Sequence, residues 1–202
     1  MLPRLRNGDA WLRILRLPNL LTVPGDVFAG FLLAPAAGGG DWAQLLFAIP
    51  AGLLLYAAGL VLNDLFDYAE DLRERPDRPL PANQISREAA AAAALVFFWI
   101  AAFLAAFFDA LPVALPLILC VILYDVGLKR RPWLGPALMG ACRAGNLLLG
   151  AAAATDGLPA APGPWIGAVV LGLYVAAVAH LARNETAPAA KFPPERIGRL
   201  LR

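Results

Sequence analysis

Cysteine is scarce in this 202-residue chain: only Cys120 and Cys142 are present, and both lie within apolar runs. Their positions match no spacing of a metal or redox site, so we interpret both as buried small apolar side chains. A cleavable signal peptide is not evident either, because the arginine-rich residues 1–16 lead into an apolar run without a clear cleavage pattern. Residues other than cysteine therefore carry the candidate chemistry.

Lysine and arginine are missing from three connecting segments, 35–42, 109–110 and 155–163. The other connections and the two ends hold all 17 of these residues except Arg143. By the positive-inside rule, both termini and the basic loops are expected to face the cytoplasm. Because topology explains the basic residues, the net charge of +2 gives no reason to expect a nucleic-acid partner.

Long apolar runs are abundant. The chain is 60% hydrophobic, whereas soluble domains are apolar in only about half of their residues. We therefore predict an all-α fold, a multi-span transmembrane helical bundle, in an integral protein of the bacterial inner membrane. Each run is near the roughly 20 residues that cross a bilayer core. The predicted spans are 17–34, 43–62, 88–108, 111–125, 135–154 and 164–182.

Three aspartates follow the second apolar run at helical spacing. On one α-helix, Asp64, Asp67 and Asp71 fall on one face with Asn63 at its edge, along a rise of roughly 10 Å. Like charges this close repel, so either Mg²⁺ or nearby arginines should neutralise them. Mg²⁺ is the natural candidate because it combines a few carboxylates with substrate phosphate oxygens.

Prolines at positions 76, 79 and 81 exclude a regular helix directly after these acids. We expect this loop, which carries Arg78, to fold over the acidic face. Ser86 followed by Glu88 indicates that a helix restarts there.

Polar residues also occur inside the first and fifth spans. Asn19, Thr22 and Asp26 form one helical stripe, and intramembrane polar residues normally face a bundle interior or a wet cavity. We expect a cavity for Asn19 and Asp26, whereas Thr22 fits a hydrogen-bonding seam between helices equally well. Arg143 and Asn146 lie one turn apart. An arginine inside a span costs about 2.5 kcal/mol or more, so it is a functional candidate.

The remaining candidates follow the fourth and sixth spans. Tyr124 at the membrane edge is a phenol donor, and Lys129 offers a flexible ammonium, so both suit a phosphate ligand. Arg183 lies at the end of the sixth span, and Glu185 is the nearest acid after it.

In these residues the chain resembles the UbiA-type intramembrane prenyltransferases. The motif Asn-Asp-x-x-Asp-x-x-x-Asp of the second helix is met in full, and three further motifs match in the same order. The matching positions are Asn63, Asp64, Asp67 and Asp71; residues 78–81; Arg16, Pro18 and Asn19; and Tyr124, Lys129 and Arg130. Together these motifs cover most of the chain.

The resemblance implies a helical bundle whose central cavity opens to the lipid, and Mg²⁺-dependent transfer of a prenyl group from an isoprenyl diphosphate to an acceptor. On this basis we hypothesise that Asp64, Asp67 and Asp71 hold Mg²⁺ and, together with Lys129, act in catalysis. The implied substrate-binding residues are Asn19, Asn63, Arg78, Tyr124, Lys129, Arg143, Asn146 and Arg183.

The chain departs from the family in two respects. The second acidic motif is reduced to residues 183–185, which leaves Glu185 as the candidate ligand of a second metal ion. This variant, together with Cys142, Arg143 and Asn146, is similar to the EboC-like branch. The family usually has nine helices, so residues 1–202 are expected to form one transmembrane domain that is truncated at its C-terminal end.

Three alternatives stay open from the sequence. A non-catalytic or fragmentary UbiA-like protein would bind a prenyl lipid or a partner. A CDP-alcohol phosphotransferase also has spaced aspartates, but its Asp-Gly-x-x-Ala-Arg opening is missing from this sequence. A transporter would show a repeated half with interrupted helices, which is not visible. The acceptor, the length of the prenyl chain and the oligomeric state are not indicated.

Overall fold

The structure, a computed structural model, describes residues 7–34 and 40–186; the side chains of Asn7, Asn19 and residues 184–186 lie outside the description. Within these residues the chain folds into nine α-helices and two short 3₁₀ turns, at Trp42–Gln44 and Leu128–Arg130. The helices are α1 Asn7–Leu15, α2 Leu17–Leu20, α3 Val23–Leu33, α4 Leu45–Phe66, α5 Tyr68–Glu74, α6 Arg87–Ala106, α7 Leu111–Val126, α8 Leu134–Thr155 and α9 Pro162–Thr186.

Four stretches are long and apolar enough to cross a membrane: Trp42–Phe66, Arg87–Ala106, Leu134–Thr155 and Pro162–Arg183. Helices α3 and α7 are apolar but shorter. The main core between α3, α4, α6, α7 and α8 is rich in alanine, which lets these helices approach closely. The prediction of an all-α, multi-span membrane bundle is confirmed.

The first predicted span is wrong as a single helix over 17–34. Helix α2 ends at Leu20, Leu21 and Thr22 form a turn, and α3 begins at Val23. Pro24 is the physical reason, because its ring lacks an N–H and would clash with the preceding turn of a continuous helix. At the start of α3 the same proline is tolerated.

Helices α3 and α8 cross in direct backbone contact. A Cβ on Gly30 would overlap the carbonyl of Leu147, and a Cβ on Gly150 would overlap the carbonyl of Val27. Only glycine permits this approach. The crossing therefore fixes α8, which carries Arg143 and Asn146, against the helix that carries Asp26.

Helix α1 packs across the ends of α4 and α6. Its buried residues Ala10 and Ile14 join a small core with residues of α4, α6 and the connecting loop. Arg13 donates to the Asp77 carbonyl at 2.7 Å, so α1 also holds the loop that carries Arg78. This loop, residues 75–86, consists of turns and bends, and Ser86 Oγ accepts the Ala89 N–H at 3.1 Å where α6 begins. The expected absence of a regular helix in this loop and the expected start of a helix after Ser86 are confirmed.

Candidate active site

The three predicted acids lie where α4 meets α5. The prediction of one continuous helix is wrong, because α4 ends at Phe66 and α5 begins at Tyr68, with Asp67 between them. The backbone ladder nevertheless persists on both sides: Asp67 N–H bonds to the Asn63 carbonyl, and Asp71 N–H bonds to the Asp67 carbonyl. The acids form two adjacent groups with different basic partners. Asp64 and Asp71 pair with arginines, whereas Asp67 pairs with Lys129.

Asp64 and Asp71 form the first group, together with two arginines. Both carboxylates are buried, with 4% and 1% exposure. Arg78 Nη1 lies 2.6 Å from Asp71 Oδ2 and 3.5 Å from Asp64 Oδ1. Arg16 Nη2 lies 2.8 Å from Asp64 Oδ1. Buried charges need such partners, since an uncompensated carboxylate is strongly destabilising.

Arg16 was predicted only as part of a motif, and no site role was assigned to it. Its backbone has φ 45°, a left-handed conformation that costs energy for a residue with a Cβ. This conformation lies at the turn between α1 and α2, and the Arg16 side chain reaches Asp64 from there. The signal in the sequence was an arginine immediately before the first apolar run.

Lys129 is at the centre of the second group. Its Nζ lies 2.8 Å from Asp67 Oδ2 and 3.0 Å from Asn63 Oδ1. The lysine comes from the 3₁₀ turn after Gly127, whose φ of 147° favours glycine. Arg130 borders the group, with Nη2 3.7 Å from Asp67 Oδ1.

Asp125 was missed by the sequence reasoning. It is 2% exposed on the last turn of α7, and its Oδ1 lies 3.7 Å from Lys129 Nζ. The available signal was the i, i+4 spacing of an acid and a lysine at the end of an apolar helix.

Tyr124 and Arg183 border a cavity of about 520 Å³ between the ends of α7, α8 and α9. Its wall is otherwise largely apolar and includes Met139 and Val178. The Arg183 guanidinium donates to the backbone carbonyls of residues 129–131, so it bonds to the turn that carries Lys129.

Arg143 is paired within the bundle. Its Nε and Nη2 lie 2.7 and 2.8 Å from the two Asp26 carboxylate oxygens, and its Nη1 donates to Thr22 Oγ1 at 2.9 Å. Asp26, for which a cavity was expected, is buried, and the helix crossing brings Arg143 onto its carboxylate. Asn146 is 3% exposed. The substrate-binding roles of Arg143 and Asn146 stay predictions.

Two predicted site residues, Asn19 and Glu185, have side chains outside the described part of the structure. Among residues 7–34 and 40–186, no three His, Cys, Asp or Glu side chains are grouped closely enough to hold a metal ion. The physical reason is that basic side chains stand between the acids. The donors are nevertheless the hard oxygens that Mg²⁺ prefers, and Asp71 Oδ1 and Asp125 Oδ1 are buried and accept no hydrogen bond from the described residues.

Fold and site together define a multi-span helical membrane protein with alternating acidic and basic side chains at one end of its bundle. A family model described as the UbiA prenyltransferase family matches residues 26–189, and the chain belongs to this family. The resemblance inferred from the motifs is thereby confirmed, whereas the likeness to the EboC-like branch stays a prediction.

Several archaeal relatives share this similarity. A digeranylgeranylglyceryl phosphate synthase from Methanoculleus marisnigri is 36% identical over 156 residues, which are 74% of this chain and 54% of the relative. One from Natronomonas pharaonis is 31% identical over 174 residues, 85% of this chain and 59% of the relative. The chain thus spans about half the length of the curated relatives it matches.

A solved structure described as concerning digeranylgeranylglyceryl phosphate synthase in membranes has the same fold. The TM-score is 0.71 at 23% identity, and the match covers 87% of this chain and 61% of that structure.

Proposed function

We propose that the chain transfers an isoprenyl group from an isoprenyl diphosphate to an acceptor, with Mg²⁺ assisting the departure of diphosphate. One observation carries the proposal: Asp64, Asp67 and Asp71 meet basic side chains from three separate segments at one end of an apolar bundle. Membership of a prenyltransferase family supports the reaction class.

In this proposal Asp64, Asp67 and Asp71, with the amide oxygen of Asn63, hold Mg²⁺. When bound, the cation supplies neutralisation of the charge on the leaving diphosphate. Asp71 Oδ1 is well suited, since it is buried, accepts no hydrogen bond from the described residues and lies 3.6 Å from the exposed Arg75. Glu185 stays a predicted ligand of a second ion.

The basic residues would exchange partners when substrate arrives. Arg16, Arg78 and Lys129, now paired with carboxylates, would turn to phosphate oxygens, and Tyr124 would donate its hydroxyl. An allylic C–O bond ionises when fixed cations meet the departing charge, so the protein needs little covalent chemistry. The apolar bundle would keep water from the carbocation.

The cavity of about 520 Å³ suits an amphiphile, because Tyr124, Lys129 and Arg183 border an otherwise largely apolar wall. We assign it to the prenyl chain of a substrate. The distribution of lysine and arginine supports a site that faces the cytoplasm. A bacterial inner membrane stays a prediction, since the relatives above are archaeal.

The relatives' name specifies a glyceryl phosphate that carries two geranylgeranyl groups. We propose an acceptor of the same class, a prenylated glyceryl phosphate. Sequence identity of 31–36% over most of this chain supports the class of the acceptor. The oligomeric state has no bearing on this assignment.

The test uses the full chain in lipid vesicles with Mg²⁺, geranylgeranyl diphosphate and geranylgeranylglyceryl phosphate. Diphosphate release and a doubly prenylated product, identified by mass spectrometry, are expected. Asp67→Ala should abolish both while the protein stays folded, because Asp67 is one of the proposed Mg²⁺ ligands. Asp109→Asn, an exposed change in the loop before α7, should leave the rate unchanged.

Product formation by Asp67→Ala, or by wild type in EDTA, would contradict the proposal. Diphosphate release without product in the presence of this acceptor would contradict the acceptor class alone.

A second candidate function is non-catalytic binding of a prenyl lipid. The observation that favours it is that each of the three acids already has a basic partner. A binding protein would retain radiolabelled geranylgeranyl diphosphate without releasing diphosphate, whereas an enzyme would release it.

A further inference from the structure

Asp125 is a deeply buried acid to which the proposed reaction gives no role. It is 2% exposed, and its Oδ1 accepts no hydrogen bond from the described residues. A buried polar oxygen without a hydrogen bond is costly and uncommon in native structures. Such an atom next to a polar cavity indicates a ligand.

The cavity beside Asp125 has a volume of about 120 Å³ and two carboxylates in its wall. It is lined by Phe66, Asp67, Asp125, Val126, Gly127, Lys129 and Arg130. The Lys129 ammonium beside this cavity lies among three oxygens: Asp67 Oδ2 at 2.8 Å, Asn63 Oδ1 at 3.0 Å and Asp125 Oδ1 at 3.7 Å. The position of the ammonium therefore marks a place where the fold already stabilises a cation.

A simpler role for Asp125 is that of a counter-ion for Lys129, four residues further along the chain. The distances show that this ion pair is the longer of the two that Lys129 makes. Lys129 bonds to Asp67 and Asn63 at hydrogen-bonding distance, whereas Asp125 stays 3.7 Å away, although both residues lie on one short stretch. Asp67 already has a second cation, because Arg130 Nη2 lies 3.7 Å from its Oδ1, so Asp125 is the carboxylate that a divalent cation would compensate.

We propose that Asp125 is a further metal ligand, and that Asn63, Asp67 and Asp125 form a divalent-cation site. In the structure the Lys129 ammonium occupies the position that the metal ion would take. All three ligands are hard oxygens, the type that Mg²⁺ and Mn²⁺ prefer. The site deepens the proposed function and rests on it in one respect: Lys129 leaves the three oxygens when a diphosphate binds. The metal ion then replaces the Lys129 ammonium as the cation that neutralises Asp67 and Asp125.

The test measures Mn²⁺ binding to the purified full chain by electron paramagnetic resonance, with and without inorganic diphosphate. Diphosphate should strengthen Mn²⁺ binding to the wild type. Asp125→Asn should raise the Kd for Mn²⁺ with diphosphate by about tenfold or more, in line with the loss of groups that support a metal site. Asp109→Asn removes the same charge at the other end of α7 and should leave the Kd unchanged.

Lys129→Met provides an independent test, because this variant should increase the affinity for Mn²⁺. Without the ammonium, Asp67 and Asp125 lack their shared cation, so Mn²⁺ should bind about tenfold more tightly than to the wild type, even without diphosphate. Combining Lys129→Met with Asp125→Asn should abolish that gain. Asp125→Ser replaces Asp125→Asn if the latter does not elute as a single folded species.

An Asp125 variant that binds Mn²⁺ as the wild type does, or a Lys129→Met variant that binds no more tightly, overturns the proposal. Prenyl transfer by the wild type together with unchanged Mn²⁺ binding by Asp125→Asn rejects this site alone. Mn²⁺ binding that depends on Asp125 in a chain without transfer rejects the proposed function and leaves the site in place.

Discussion

Replacing Arg78 with methionine removes the cation that bridges Asp64 and Asp71. Its Nη1 lies 2.6 Å from one carboxylate and 3.5 Å from the other, and both acids are buried. Removing one partner of a buried ion pair costs about 3–5 kcal/mol, because a charge stays buried without compensation. Asp64 keeps Arg16 at 2.8 Å, so we place the loss in unfolding free energy near the lower end, at about 3 kcal/mol.

For a chain of this length, such a loss corresponds to a fall in Tm of about 6–12 °C, measured by thermal unfolding in a single detergent. Arg75→Met is the matched control, since Arg75 lies 3.6 Å from the same Asp71 but is 55% exposed. Its loss should cost at most about 1 kcal/mol. Adding Asp71→Asn to Arg78→Met should recover part of the lost Tm, because it removes the orphaned charge.

The effect of Mg²⁺ on the Tm of Arg78→Met is a second test of the same prediction. Without Arg78, Asp64 and Asp71 are open to a divalent cation, so Mg²⁺ should raise the Tm of Arg78→Met more than that of the wild type. A Tm for Arg78→Met within about 2 °C of the wild type, with no added response to Mg²⁺, would refute the reasoning.

Two further predictions concern the crossing of α3 and α8. Gly150→Ala should reduce the yield of folded protein and lower the Tm, because its Cβ meets the backbone of Val27. Gly25→Ala, which has open space around the new methyl group, should be neutral or slightly stabilising. Equal Tm values for the two variants would contradict the close crossing. Arg143→Met should lower the Tm as Arg78→Met does, and adding Asp26→Asn should restore part of it, since the buried carboxylate is then gone. An Arg143→Met variant with the Tm of the wild type would show that this ion pair contributes nothing to stability.

The sequence predicted those parts of the site that depend on local rules. Helical spacing places Asp64 and Asp71 close enough to share Arg78, although the helix is interrupted at Asp67, and the irregular loop around Arg78 follows from its prolines. Ser86 marked the start of α6 because a side-chain oxygen there accepts a free backbone N–H. Each of these inferences needs only a few neighbouring residues.

Partners that are distant in the sequence could not be predicted in the same way. Arg16 and Asp64 are 48 residues apart, and Arg143 and Asp26 are 117 residues apart. Such pairs depend on how the helices cross, which neither composition nor spacing specifies. Asp125 escaped notice for a related reason, since burial beside Asp67 becomes visible only when α7 lies against α4.

The order in which the polar site acquires its charges follows from where those partners lie along the chain. Arg16 is made 48 residues before Asp64, whereas Lys129 is made 62 residues after Asp67. A nascent chain that has reached the end of α5 can therefore neutralise Asp64 but not yet Asp67. Until α7 and its following turn are inserted, the growing protein carries an uncompensated negative charge at the membrane boundary, and completing the fold removes it.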